Sequence, residues 1–170
     1  MKPIPDNELI FAIDPGNVYS AYCFLLGSKI VDFGKKSNSA VLDIVPRLGY
    51  RHLVCEYVVS YGMPAGASLF DTCTYIGRII ECAARHGYPV TLMPRIQVKS
   101  HLCHSGKAKD ANIRQALLDL FGPQGTKKSP GPTYGISADC WSALAIAETF
   151  RSGDYTPYTL SADKPENKGS

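Results

Sequence analysis

No stretch of this 170-residue chain approaches the roughly 20 consecutive apolar residues of a membrane span. The opening residues 1–6 carry no apolar core of a secretory signal before the first apolar run begins, so a cytoplasmic setting is expected. The six cysteines, at 23, 55, 73, 82, 103 and 140, form no CxxC pair and sit mostly inside apolar runs. They read as small hydrophobes in a reducing compartment, which excludes a disulfide scaffold and a structural zinc ribbon. Charged residues make up only 19% against 45% hydrophobic ones, too few for wholesale disorder. Neither sign of charge dominates: the net charge is +3 and the pI about 8.5, compatible with a nucleic-acid partner without requiring one. There is no internal repeat, and the length suits one α/β domain better than two.

The chain is organised around Leu9-Ile10-Phe11-Ala12-Ile13-Asp14-Pro15-Gly16. An apolar run of strand length, as in a buried central strand, ends on one carboxylate and turns at once through Pro-Gly. A carboxylate there either caps the turn or stands at the strand end, where α/β sheets collect their chemistry. Residues 18–26 and 29–33 read as two further strands in an antiparallel meander, with 34–38 as turn and polar loop. Ser39 is a candidate cap for a short helix bearing Val41, Ile44, Val45 and Leu48, curtailed by Pro46. His52 to Tyr57 is the next strand, with Glu56 at its end, and 89–93 is another. Helices are expected over 69–86, from a cap at Asp110 to Phe121, and over 138–150 behind Ser137. The domain should span 9–151, between an N-terminal extension (1–8) and a polar tail (152–170). The expected fold is therefore α/β: a mixed sheet of three antiparallel strands followed by parallel ones, with helices on both faces.

Three carboxylates stand at the margins of these apolar elements: Asp14, Glu56 and Asp139. Each alone has an ordinary explanation as a turn cap, a surface residue or a helix N-terminal acid. If they converge, two anions about 4 Å apart cost roughly 4 kcal/mol at an effective dielectric near 20. Either one is protonated or cations fill the site, and oxygen-only donors favour Mg²⁺ or Mn²⁺ over zinc. Two such ions can clamp the attacking water and the leaving oxygen of a phosphodiester.

Ile13-Asp14-Pro15-Gly16 after a strand, Cys55-Glu56 ending a later strand, and Asp139-Cys140-Trp141-Ser142-Ala143-Leu144-Ala145-Ile146-Ala147 on the last helix resemble the RuvC-type Holliday junction resolvases of the ribonuclease H-like superfamily. Residues 56–64 and 107–116 are similar to the shorter RuvC-like proteins of bacteriophages and prophages. The resemblance covers about residues 9 to 151. It implies a ribonuclease H-like fold, a homodimer, two Mg²⁺ or Mn²⁺ ions, and paired nicks across a four-way DNA junction in the bacterial or phage-infected cytoplasm. By motif, Asp14, Glu56 and Asp139 match its metal-binding catalytic acids. The family usually has a fourth acid or a His one helical turn after the last Asp, where this chain has Ser142, a poorer ligand.

Basic residues cluster in 95–109, where Lys107 and Lys109 flank a glycine loop entering a helix, a setting that favours phosphate. Lys99, Arg95 and Arg114 extend the strip, and Lys127-Lys128 on a Gly/Pro-rich loop is a second DNA-binding candidate. Such contacts position a backbone without reading sequence, which suits recognition of branched shape, whether junction, flap or fork. His101-Leu102-Cys103-His104 lacks a second ligand pair for zinc. Tyr61 and Phe70 are candidates to stack on an opened base pair, and the helix over 69–86 is the candidate dimer face. Two other classes compete: a protein of the same fold that grips branched DNA without cutting, and a relative of the actin-like ATPases and sugar kinases. The latter needs two domains and a second glycine-rich phosphate loop, and this chain has no such loop.

Overall fold

The computed structural model describes residues 2–160 apart from 48, 60, 61, 63 and 65. Five strands form one sheet in the order β3-β2-β1-β4-β5: β1 Leu9–Asp14, β2 Tyr19–Leu26, β3 Lys29–Ser37, β4 His52–Tyr57 and β5 Val90–Pro94. The β1–β2 and β2–β3 pairs are antiparallel; β1–β4 and β4–β5 are parallel, as the sequence pattern requires. Among the described residues there are five helices: α1 Asn38–Leu42, α2 Ala67–Arg85, α3 Arg95–Cys103, α4 Asp110–Phe121 and α5 Cys140–Ser152.

The apolar runs of β1 and β4 are central strands buried on both faces. One face packs against α1 and α2 through Phe11, Ile13, Tyr22, Leu53, Cys55, Ile76 and Ile79. The other packs against α5 and α4 through Ala12, Cys23, Val54, Met93, Leu117 and Leu144. Helix α5 is buried from Cys140 to Phe150 except for Ser142, which explains a sequence that is apolar nearly all round. No helix among the described residues is long and apolar enough to cross a membrane.

The structure differs from the sequence expectations in several places: among them, Lys109 and not Asp110 is the N-cap of α4, and Asp139 and not Ser137 that of α5. Strand β3 runs on to Ser37, taking in the Lys35-Lys36 stretch expected to be loop. It is an edge strand exposed along most of its length, so it carries no apolar alternation to announce it. Ser37, not Ser39, caps α1, accepting from the Ala40 N–H at 3.4 Å; Leu48 lies outside the described residues. Residues 95–103 are a helix, hidden because Val98 alone is buried and there is no apolar stripe. The polar tail expected from 152 packs on the domain as far as Leu160. The Tyr158 N–H donates to the Leu92 carbonyl at 2.7 Å on the outer edge of β5, and its ring stacks on Tyr57 at 4.1 Å. Tyr155 lies against Phe150.

Candidate functional site

The sheet register decides where the acids point. Ile13 pairs with Cys55, and both face α2; the next residues along, Asp14 and Glu56, therefore face α5 with Ala12 and Val54. Glu56 in turn pairs with Met93, which belongs to the same α5-facing core. Across β2, Asp14 pairs with Ala21 and Ala21 with Lys35, so Lys35 lies on this face too. The rung thus carries acids from two central strands and a lysine from the edge, with the N-terminus of α5 above it.

Asp14 does not cap its own turn. The Gly16 N–H is taken by Ser20 Oγ at 3.2 Å, Ser20 donates to Asn38 Oδ1 at 2.7 Å, and Asn38 Nδ2 donates to the Gly16 carbonyl at 2.9 Å. A Cβ at position 16 would stand 2.3 Å from the Tyr19 carbonyl oxygen, so only glycine fits there. With the turn satisfied by others, the Asp14 carboxylate is free for chemistry.

At the start of α5, Ala138 has φ +43, an uncommon left-handed conformation for a residue with a side chain. It orients Asp139, which occupies the N-cap position without making a side-chain cap bond. Its Oδ2 instead accepts from Lys35 Nζ at 2.5 Å, in a pair about half exposed on each side. One turn on, the Ser142 hydroxyl accepts from Arg95 Nη1 at 3.5 Å and lies near enough to Asp14 to favour its ionised form.

Arg95 enters this site, a role that its placement in the basic strip did not suggest. Its Nη1 donates to Glu56 Oε2 at 3.1 Å, and its Nη2 to Asp110 Oδ1 at 2.7 Å. Glu56 is 8% exposed, so this pair is nearly buried on the acid's side. Burial raises the Glu56 pKa, and Arg95 is the main force pulling it back. Asp14 is pushed up to about 7, first by burial and then by the Glu56 charge; Arg95 and the Ser142 hydroxyl only partly oppose this. A carboxyl half-protonated near neutrality lacks a cation of its own, which is the condition a divalent ion relieves.

The three acids therefore converge on one face but do not form a ready cage. Among the described residues, no three of His, Cys, Asp and Glu are arranged to hold a metal ion. The reason is visible in the ion pairs: Glu56 is turned to Arg95 and Asp139 to Lys35. The donors are all oxygen, of the hard type that suits Mg²⁺ or Mn²⁺, and Asp14 has no ion-pair partner among the described residues. The donors suit such an ion in kind, while Glu56 and Asp139 each hold a basic side chain in its stead.

A cleft of about 780 Å³ opens beside the acids, lined by Arg95, Arg114, Gln124, Asp139, Trp141 and Ser142 among others. Arg114 lies over the Trp141 ring at 5.3 Å and donates to Gln124 at 2.9 Å. Lys99 is half-buried on α3, close enough to act on Glu56. Lys107, Lys109, Lys127 and Lys128 are exposed and do not line the cleft. Lys109 is the N-cap of α4, whose first residue is the Arg95 partner Asp110. Phe70 is 62% exposed on α2, while Tyr61 lies outside the described residues. On α2 the apolar residues form one inward stripe; Cys73 is exposed and Ile80 half-buried, and the outward face mixes Phe70 with Asp71, Arg78 and Glu81.

No family model matches this sequence, and no curated protein does. Among solved structures, a Thermus thermophilus RuvC structure superposes with a TM-score of 0.64 at 20% identity, over 88% of this chain and 99% of that one. T. thermophilus RuvC in complex with Holliday junction substrate superposes at 0.66 with 19% identity, over 89% and 99%. Nearly the whole of that fold is present, in the strand order and helix placement described above: the chain has the ribonuclease H-like fold of the RuvC-type resolvases.

Proposed function

We propose that this protein is a metal-dependent, structure-selective endodeoxyribonuclease that nicks branched DNA, with the Holliday junction as its principal substrate and flaps or forks as lesser ones. The observation that carries the reading is the rung itself: Asp14 and Glu56 held rigidly on adjacent parallel strands, with Asp139 and Ser142 above them at the start of α5. The fold shared with a resolvase whose structure contains a Holliday junction supports the choice of substrate.

Asp14, Glu56 and Asp139 are the metal-binding acids, and the ion is Mg²⁺ or Mn²⁺. When bound, it neutralises the phosphate oxygens and makes a water more acidic. Asp14 anchors the site on β1, and Glu56 presents its carboxylate from β4 with Arg95 fixing its direction. Asp139 is exposed enough to change partners. Water adds to phosphorus, the P–O3′ bond breaks, and 5′-phosphate and 3′-hydroxyl ends remain. Arg114, at the cleft, and Lys99, Lys107, Lys109, Lys127 and Lys128 hold the DNA backbone. The protein acts as a homodimer in the cytoplasm, with α2 as the dimer face; a monomer by sedimentation at micromolar concentration would remove that part of the reading.

A second reading is that the chain grips junctions without cutting them. Ser142 in place of an acid, together with two acids tied up by basic residues, favours it. The deciding experiment is nicking of a labelled four-way junction against a linear duplex of the same sequence, in EDTA, Mg²⁺ or Mn²⁺. Symmetric, metal-dependent cutting lost in Asp14→Asn is the expected result. Tight junction binding without nicking under every condition would leave the binding protein instead.

A further inference from the structure

A guanidinium is the least exchangeable cation in the acid site. Arg95 is the first residue of α3 and directly follows Pro94, which pairs with Tyr57 on β4, so its backbone is set by the same strands that hold Glu56. Its side chain is tied at three points: Glu56 at 3.1 Å, Ser142 at 3.5 Å and Asp110 at 2.7 Å. Releasing Glu56 would leave a nearly buried carboxylate without its partner. Lys35 differs: its pair with Asp139 is about half exposed on both sides and can be exchanged against solvent.

A second divalent ion beside Glu56 and Ser142 would be packed against the Arg95 guanidinium, cation on cation. Ser142, a neutral hydroxyl, supplies nothing to hold such an ion.

Resting on the metal-nuclease reading above, we propose that Arg95 is the second cation of this site: its guanidinium occupies the place beside Glu56 and Ser142 that a second divalent ion would need, so that each chain takes up a single Mg²⁺ or Mn²⁺, seated on Asp14. Arg95 is thus a built-in substitute for a metal and not one more contact in the basic strip.

The test counts ions and does not depend on cleavage. Mn²⁺ bound per chain is measured from the loss of the free-ion electron paramagnetic resonance signal, at millimolar Mn²⁺ and without DNA. Wild type is expected to bind one ion, lost in Asp14→Asn. Arg95→Met, which keeps the apolar stem, should double the count to two, and adding Glu56→Gln should remove the extra ion; Arg95→Lys should stay at one. If Arg95→Met does not fold, Arg95→Gln serves. Two Asp14-dependent ions in wild type, or an unchanged count when the guanidinium is removed, overturns the role of Arg95 while the nuclease reading stands. No Asp14-dependent uptake overturns both.

Discussion

Two ion pairs meet at the same end of the sheet and behave differently. Arg95–Glu56 joins a side chain one-third exposed to one only 10% exposed, whereas Lys35–Asp139 joins two that are each about half exposed. Their charges are the same, but the environment is not. A pair in water contributes little and exchanges readily; a nearly buried carboxylate depends on its cation, because removing it leaves an uncompensated charge. The site is therefore half locked and half open, and only the open half can rearrange around an incoming ion.

The largest effect should fall on Asp14, the acid without an ion-pair partner among the described residues. Asp14→Asn is expected to lower junction nicking by about 10³-fold, about 4 kcal/mol in the barrier. A loss under tenfold in a single-turnover assay would remove Asp14 from the reaction. The same variant should gain stability. The folded-state pKa of Asp14, about 7, lies above its ordinary 3.8, so the unfolded chain releases this proton more easily. The stability it contributes is complete below about pH 4, declines as the pH rises, and is gone above about pH 7, a swing of roughly 4 kcal/mol. Metal-free Asp14→Asn should therefore melt at least about 3 °C above wild type at pH 8 and close to it at pH 4. Equal melting points at pH 8 would mean that Asp14 is not strained by its surroundings.

The locked pair comes next. Arg95→Met should cost about 1–3 kcal/mol in urea unfolding at pH 7.5, towards the lower end because the guanidinium is partly solvated. A cost below about 0.5 kcal/mol would show that Glu56 does not depend on it. For the metal, Mn²⁺ should raise the melting temperature more at pH 8 than at pH 5.5, since at the lower pH it competes with the proton on Asp14. Equal shifts would place the ion elsewhere. The smallest effect belongs to the open pair: Lys35→Ala should move the melting point by no more than about 1 °C. It should also halve, or better, the Mn²⁺ concentration needed for binding, as Asp139 is set free. A melting loss as large as that of Arg95→Met would erase the contrast between the pairs.

How much of this was legible in the sequence follows from burial. The apolar runs of β1 and β4 are central strands, and a carboxylate at the end of each could be seen to share a sheet margin. Lys35 was hidden because β3 is an exposed edge whose residues obey no alternation. Arg95 was placed in the basic strip because α3 buries one residue and shows no helical stripe, so nothing in its pattern turned the guanidinium inward. Spacing could place Ser142 one turn beyond Asp139, but not its bond from Arg95. The packed run from 153 to 160 is mostly polar, and three separated side chains, Tyr155, Tyr158 and Leu160, anchor it.

That last run has a use of its own. A parallel sheet ending in an unpaired strand offers a row of free backbone groups on which any extended peptide can grow another strand. Here the protein lays its own chain along that row: Tyr158 occupies the Leu92 carbonyl and clamps the ribbon with a stacked ring. Part of the flank of β5 is thereby covered by the chain itself. The strand that delivers Arg95 to the acids at one end is hemmed along its side, and a chain cut back to Ser152 would trade that hem for a sticky border.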